Sequence, residues 1–106
     1  MKKVSKAQAV KIAEILKYAE LLRDEFVTTY DGGTWPYVVD VKSISVSPSG
    51  QFVTIDGGTT KGRAVKISPY VGRERFNVND AERSKDLNYT LSVILRAYKS
   101  AARYAA

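Results

Sequence analysis

Cysteine and histidine are both absent from the 106 residues. Without cysteine there is no disulfide, no thiolate metal ligand and no thiol nucleophile. Without histidine the chain lacks the commonest metal ligand and the usual base near neutral pH. Its many serines and threonines therefore have no imidazole to activate them. Apolar runs are short, and none approaches the roughly 18–20 residues of a membrane span. The start, Met1-Lys2-Lys3-Val4-Ser5, lacks the apolar run of a secretion signal. Neither Walker-type nor dinucleotide-type glycine spacing occurs, so Gly32-Gly33 and Gly57-Gly58 read as turns. These absences predict a cytoplasmic, non-enzymatic protein with no cofactor, no metal and no membrane contact.

What is present is ordinary for a globular chain. Hydrophobic residues make up 44% and charged residues 26%, which is enough apolar material for one modest core and places the chain outside the disordered class. The length predicts a single compact domain over 1–106.

The stretch from Val38 to Ser68 carries the β signal. Ser47-Pro48-Ser49-Gly50 is a turn, with proline presetting φ and glycine supplying the left-handed residue. A tight turn sets Val46 against Gln51 and Ile44 against Val53. Continuing that ladder would put Lys42 opposite Ile55, a charge on the apolar face. One extra residue near Lys42-Ser43 removes the conflict and predicts a β-bulge there. Val39, Val41, Ile44, Val53, Ile55, Val65 and Ile67 then form the core face. Val38, Asp40, Phe52, Thr54, Asp56 and Lys66 form the other. The connection from Asp56 to Gly62 is glycine-rich and reads as a mobile loop. Strands are expected near 37–46, 51–56 and 63–68.

Helical spacing flanks this stretch. Ser5 with Gln8 is a capping-box pattern, and Ile12, Ile15, Leu16, Ala19, Leu22, Phe26 and Tyr30 follow on one face. That predicts a helix over 5–30, although Asp24 and Glu25 would then sit unfavourably at the negative end of the helix dipole. Asn79 with Glu82 opens a second helix over 79–104, striped by Leu87, Leu91, Ile94, Tyr98, Ala101 and Ala105. Arg96, Lys99 and Arg103 lie on its opposite side and read as a solvated face. The predicted class is α+β: helix, three-stranded antiparallel meander, helix.

Charge is uneven. The net formal charge is +6, and residues 61–75 alone hold five basic residues and one acidic. Lys61, Arg63, Lys66, Arg73 and Arg75 are interleaved with Tyr70 and glycines in that tract. Cations neutralise phosphates and aromatics stack on bases. These residues are therefore the candidate binding tract for nucleic acid. An acidic protein or nucleoprotein surface attracts the same cations. This gives the alternative of a small inhibitor or adaptor of the compact kind that viruses encode. Trp35, Val38 and Phe52 form a candidate contact face, through which a homo-oligomer is a further option.

Two short resemblances accompany this reading. Asp40-Val41-Lys42 resembles the acidic-x-Lys element of the restriction-endonuclease-like nucleases, which would imply Asp40 and Asp56 holding Mg²⁺ beside Lys42. Here the element stands on the first strand, whereas in that family it follows a strand bearing the first aspartate. The segment from Ile44 to Val53 resembles one hairpin of a β-propeller blade, but no second copy exists, and a propeller needs several.

Overall fold

The structure, a computed structural model, describes residues 3–25, 27–30, 36–57, 59–63, 66–67 and 73–104. The capping box forms as the sequence predicts. The Gln8 amide donates to Ser5 Oγ at 3.0 Å and the Ser5 amide donates to Gln8 Oε1 at 2.9 Å. Helix α1 (Lys6–Leu21) follows. It ends well before residue 30. Leu22 turns out of the helix, its N–H still reaching the Tyr18 carbonyl, and Val27–Tyr30 is a strand, β1. The physical reason is local: Val27-Thr28-Thr29-Tyr30 is a run of β-branched and aromatic residues. Ending at Leu21 also leaves Asp24 and Glu25 outside the helix, which removes the clash with its dipole.

Six more strands follow: β2 (Pro36–Val39), β3 (Ser43–Val46), β4 (Phe52–Asp56), β5 (Thr59–Arg63), β6 (Lys66–Ile67) and β7 (Arg73–Asn77). Helix α2 (Ala81–Tyr104) closes the order. The class is thus α+β, with a helix at each end and an antiparallel three-stranded sheet, β3-β4-β7, between them. A second sheet, ordered β1-β2-β5-β6, joins it. The third strand of the three-stranded sheet is 73–77 rather than the expected 63–68. The expected mobile loop at 56–62 is largely strand β5. Strand β7 is hard to read because Arg73, Glu74 and Arg75 look like loop, and only Phe76 is buried.

The hairpin register differs from expectation by two residues. Val46 pairs with Val53 and Ile44 with Ile55. The turn is wider than a four-residue one, because the Ser47 amide donates to the Phe52 carbonyl at 2.9 Å. Ser47 Oγ also accepts from the Phe52 amide at 3.1 Å. A slip of two keeps every side chain on its predicted face, since the strand period is two. The bulge is present where the charge conflict put it. Ser43 pairs with Asp56, and the Lys42 amide also donates to the Asp56 carbonyl at 2.9 Å, so two residues face one. At this point the long hairpin bends from one sheet into the other: β2 runs on into β3, and β4 into β5.

The bend is tightly held. Gly57 has φ +92°, and a Cβ there would overlap the Asp40 carbonyl oxygen. Only glycine combines that backbone with so close an approach. The Val41 amide donates to the Tyr98 hydroxyl of α2 at 3.0 Å, and both residues are buried. Burial pushes the Tyr98 phenol pKa up from its ordinary value.

One core cluster unites the elements. Ile12, Ile15 and Leu22 of the α1 region meet Leu87, Leu91, Ile94 and Tyr98 of α2, together with Val27, Val39, Val41, Val53, Ile55 and Phe76 from the strands. Val39, Val41, Val53 and Ile55 are buried as predicted, and Ile44 is partly so. Val65 lies outside the described residues, as does the side chain of Ile67. Buried Gln8 ties the helices together, donating to Asn88 Oδ1 at 2.9 Å and Ser84 Oγ at 3.4 Å. The cap of α2 is Asp80 rather than Asn79: its Oδ1 accepts from the Glu82 and Arg83 amides at 3.0 and 3.2 Å. Both helices pack on the core side of the β3-β4-β7 sheet. Among the described residues, its other face carries no helix.

Candidate nucleic-acid interface

That open face is built by alternation. Val53 and Ile55 point inward, so Phe52, Thr54 and Asp56 must point outward. On β7, Phe76 points inward, which turns Arg75 and Arg73 outward. Register then sets Thr54 beside Arg75 and Asp56 beside Arg73. On β3, Ser43 and Ser45 complete the rows beside Asp56 and Thr54. The result is a shallow depression of about 560 Å³ lined by hydroxyls, Val46, the Phe52 ring, the Asp56 carboxylate and two guanidinium groups.

Two contacts shape its chemistry. The Arg75 guanidinium lies over the Phe52 ring, 3.7 Å from the centroid. Such stacking draws the cation to the ring's negative face while leaving its edge N–H groups available. Arg73 approaches Asp56 at 3.9 Å, with 74% of its own side chain exposed. An exposed pair at that distance is a weak one, so Arg73 stays available to an incoming anion.

Strand β7 is fixed from behind by Arg83, on the first turn of α2. Its guanidinium donates to Glu74 Oε1 at 3.0 Å, to Asp86 Oδ2 at 2.9 Å and to the Arg75 carbonyl at 3.2 Å. The hydrogen bond that it donates to Glu74 is the chief cause pushing its pKa up. Arg83 therefore spends its donors on structure and is a positioning residue for Arg75. Sequence reasoning missed it, because two of its three partners lie on a strand that itself read as loop.

The predicted binding tract divides. Arg73 and Arg75 come together with Phe52 on one face. Lys61 and Arg63 lie on β5 in the other sheet, with Lys66 opposite Arg63 on β6. The side chains of these three are outside the described residues, and so are Tyr70 and Trp35. Val38 sits on β2 between Thr28 and Thr60, its side chain likewise not described. The three-residue nuclease resemblance gains no support here. Asp40 lies in the bend, outside any strand, and Asp56 faces Arg73. Among the described residues no group of three or more carboxylates converges on a metal position. No helix among them is long and apolar enough to cross a membrane. Comparison with family models, with curated proteins and with solved structures returned no match.

Proposed function

We propose that the protein is a non-enzymatic, cytoplasmic nucleic-acid-binding protein that uses the outer face of the β3-β4-β7 sheet. The observation that carries this reading is the stacked pair Arg75–Phe52 with Arg73 two residues away on the same strand face. The Arg75 guanidinium, stacked on the partly exposed Phe52 ring, presents a flat surface on which a base can stack, while its edge N–H groups and Arg73 meet phosphates. Serine and threonine hydroxyls on neighbouring rows add hydrogen bonds without choosing a sequence. Stacking on the Arg75–Phe52 pair requires an unstacked base, so single strands are favoured over duplex. Affinity is weak and largely sequence-independent.

Log affinity should fall with log salt by about 0.7 per phosphate contacted for single strands. Replacing Arg73 and Arg75 with glutamine should flatten that slope by about 1.4 units, if each arginine makes one contact. A matched change at Lys17 and Lys85, exposed on the helices, should flatten it far less. Equal effects of the two pairs would mean that net charge alone binds and no site exists. The competing partner is an acidic protein surface, which Arg73 and Arg75 can grip through paired N–H groups. Retention of one protein partner from nuclease-treated lysate, with no oligonucleotide binding at moderate salt, would replace the nucleic-acid reading with that one.

A further inference from the structure

We infer that the groove between α1 and α2 is a second phosphate-binding surface, so that one molecule can hold two segments of nucleic acid at once. This rests on the sheet-face reading for the class of ligand, but not for the site itself. The groove has a volume of about 460 Å³ and is lined by Lys11 of α1 and by Ser92, Arg96, Lys99 and Arg103 of α2. Four cations from two separate elements converge there. Helix-dipole complementarity accounts for Arg103 in the last turn, because the effect fades beyond one turn. It does not account for Arg96, two turns earlier, nor for Lys11 on another helix.

One carboxylate partly offsets this charge: Glu14 lies 3.5 Å from Lys99. Lys11 Nζ donates to Ser92 Oγ at 3.0 Å, an exposed contact that places the ammonium beside α2 at the groove. Among the described residues no carboxylate lies within ion-pair distance of Arg96 or Arg103. Four gathered cations with one counter-charge fit an extended polyanion. At 1.5 Å per residue, Arg96 to Arg103 spans about 10 Å of helix, enough to meet more than one phosphate of an extended strand.

Position gives the consequence. Leu87, Leu91, Ile94 and Tyr98 turn one face of α2 into the core. Arg96, Lys99 and Arg103 lie on the other face and are exposed. The helices cover the inner face of the β3-β4-β7 sheet, while Arg73 and Arg75 stand on its outer face. The two basic surfaces therefore look in opposite directions, and a segment held on one leaves the other open.

The test is a bridging assay with a biotinylated oligonucleotide on beads and a free fluorescent one. The wild-type protein should retain the fluorescent strand. The Arg96→Gln/Lys99→Gln/Arg103→Gln variant should lose most of that retention, about five-fold or more, while staying bound to the bead strand through the sheet face. Lys11→Gln, on the other helix, should reduce bridging in the same direction, which a mere weakening of α2 would not produce. Thermal melts confirm that the variants fold. Wild-type retention by the triple variant overturns the inference, as does a wild type that binds one strand and never bridges. If Arg73→Gln/Arg75→Gln binds the bead strand at full affinity while the groove variant does not, the sheet-face reading fails and the groove stands alone. If a polyglutamate chain binds through the groove residues and the oligonucleotide does not, the groove serves an acidic protein and the inference falls.

Discussion

Replacing Gly57 with alanine should cost a large fraction of the total stability. The backbone there has φ +92°, and a Cβ would overlap the Asp40 carbonyl oxygen and come within 3.0 Å of the Lys42 amide nitrogen. Holding a non-glycine residue at such a φ costs about 1–3 kcal/mol. The overlap is with backbone, so relief requires the segment 40–42 to move away from 57. That movement strains two hydrogen bonds, from the Lys42 amide to the Asp56 carbonyl and from the Val41 amide to the Tyr98 hydroxyl. Each is worth about 0.5–1.5 kcal/mol, and more if a buried group is left unpaired. Together the terms reach about 2–6 kcal/mol, against a typical total of about 5–15 kcal/mol. A thermal melt followed by circular dichroism should show Tm lowered by about 8 °C or more. Gly50→Ala is the contrast. Its φ is +77°, but the nearest atoms are Lys3 Cβ and Cγ at 3.1 and 3.3 Å, which need give by only a few tenths of an ångström, so the loss should stay within the about 1–3 kcal/mol of the positive φ itself. If Gly57→Ala melts within about 3 °C of wild type, the bend is not held as described here.

Three further outcomes follow from the same geometry. Phe52→Ala should lower stability by only about 1–2 kcal/mol, short of the 3–5 kcal/mol of a fully buried phenylalanine, while oligonucleotide affinity measured by anisotropy drops about five-fold or more. Asp56→Asn should raise oligonucleotide affinity about two- to five-fold at low salt by freeing Arg73, with unfolding in urea almost unchanged. Tyr98→Phe should cost about 1–3 kcal/mol by leaving the Val41 N–H unpaired. Because burial raises the Tyr98 pKa, the folded state holds that proton more tightly than the unfolded chain. Its contribution is complete below the ordinary phenol value of 10.0 and is lost as pH rises through the folded value. Urea titrations of wild type and Tyr98→Phe at rising pH should therefore converge in the alkaline range.

Much of this was legible from residue types at fixed spacing. The bulge at Lys42-Ser43 could be inferred because an in-register ladder would bury a lysine. The faces of β4 followed from alternation alone, and they survived a two-residue error in register. The end of α1 was misread because Phe26 and Tyr30 fall on the helical stripe by coincidence. Asp24 and Glu25, misplaced for a helix end, were the sign that the helix had already stopped. Strand β7 was missed because an edge strand needs only one inward apolar residue, here Phe76, and can carry charge elsewhere. The candidate site was half legible. Arg73, Arg75 and Phe52 were each named, but their juxtaposition depends on β7 pairing with β4 across about twenty residues of sequence. Arg83 left no sequence signal, since its role lies in what it reaches. The convergence of Lys11 with Arg96, Lys99 and Arg103 likewise appears only when the helices are packed.

The most direct test of the central claim is a ¹H–¹⁵N chemical-shift titration with a short single-stranded oligonucleotide at low salt. The account predicts that the amides of Phe52, Thr54, Arg73 and Arg75 shift progressively, along with the side-chain Nε signals of the two arginines, whatever happens in parallel at the helix groove. Buried Val53 and Ile55, alternating with them on β4, should move less. Binding that leaves Phe52, Thr54, Arg73 and Arg75 unmoved would contradict the claim that this sheet face is the interface.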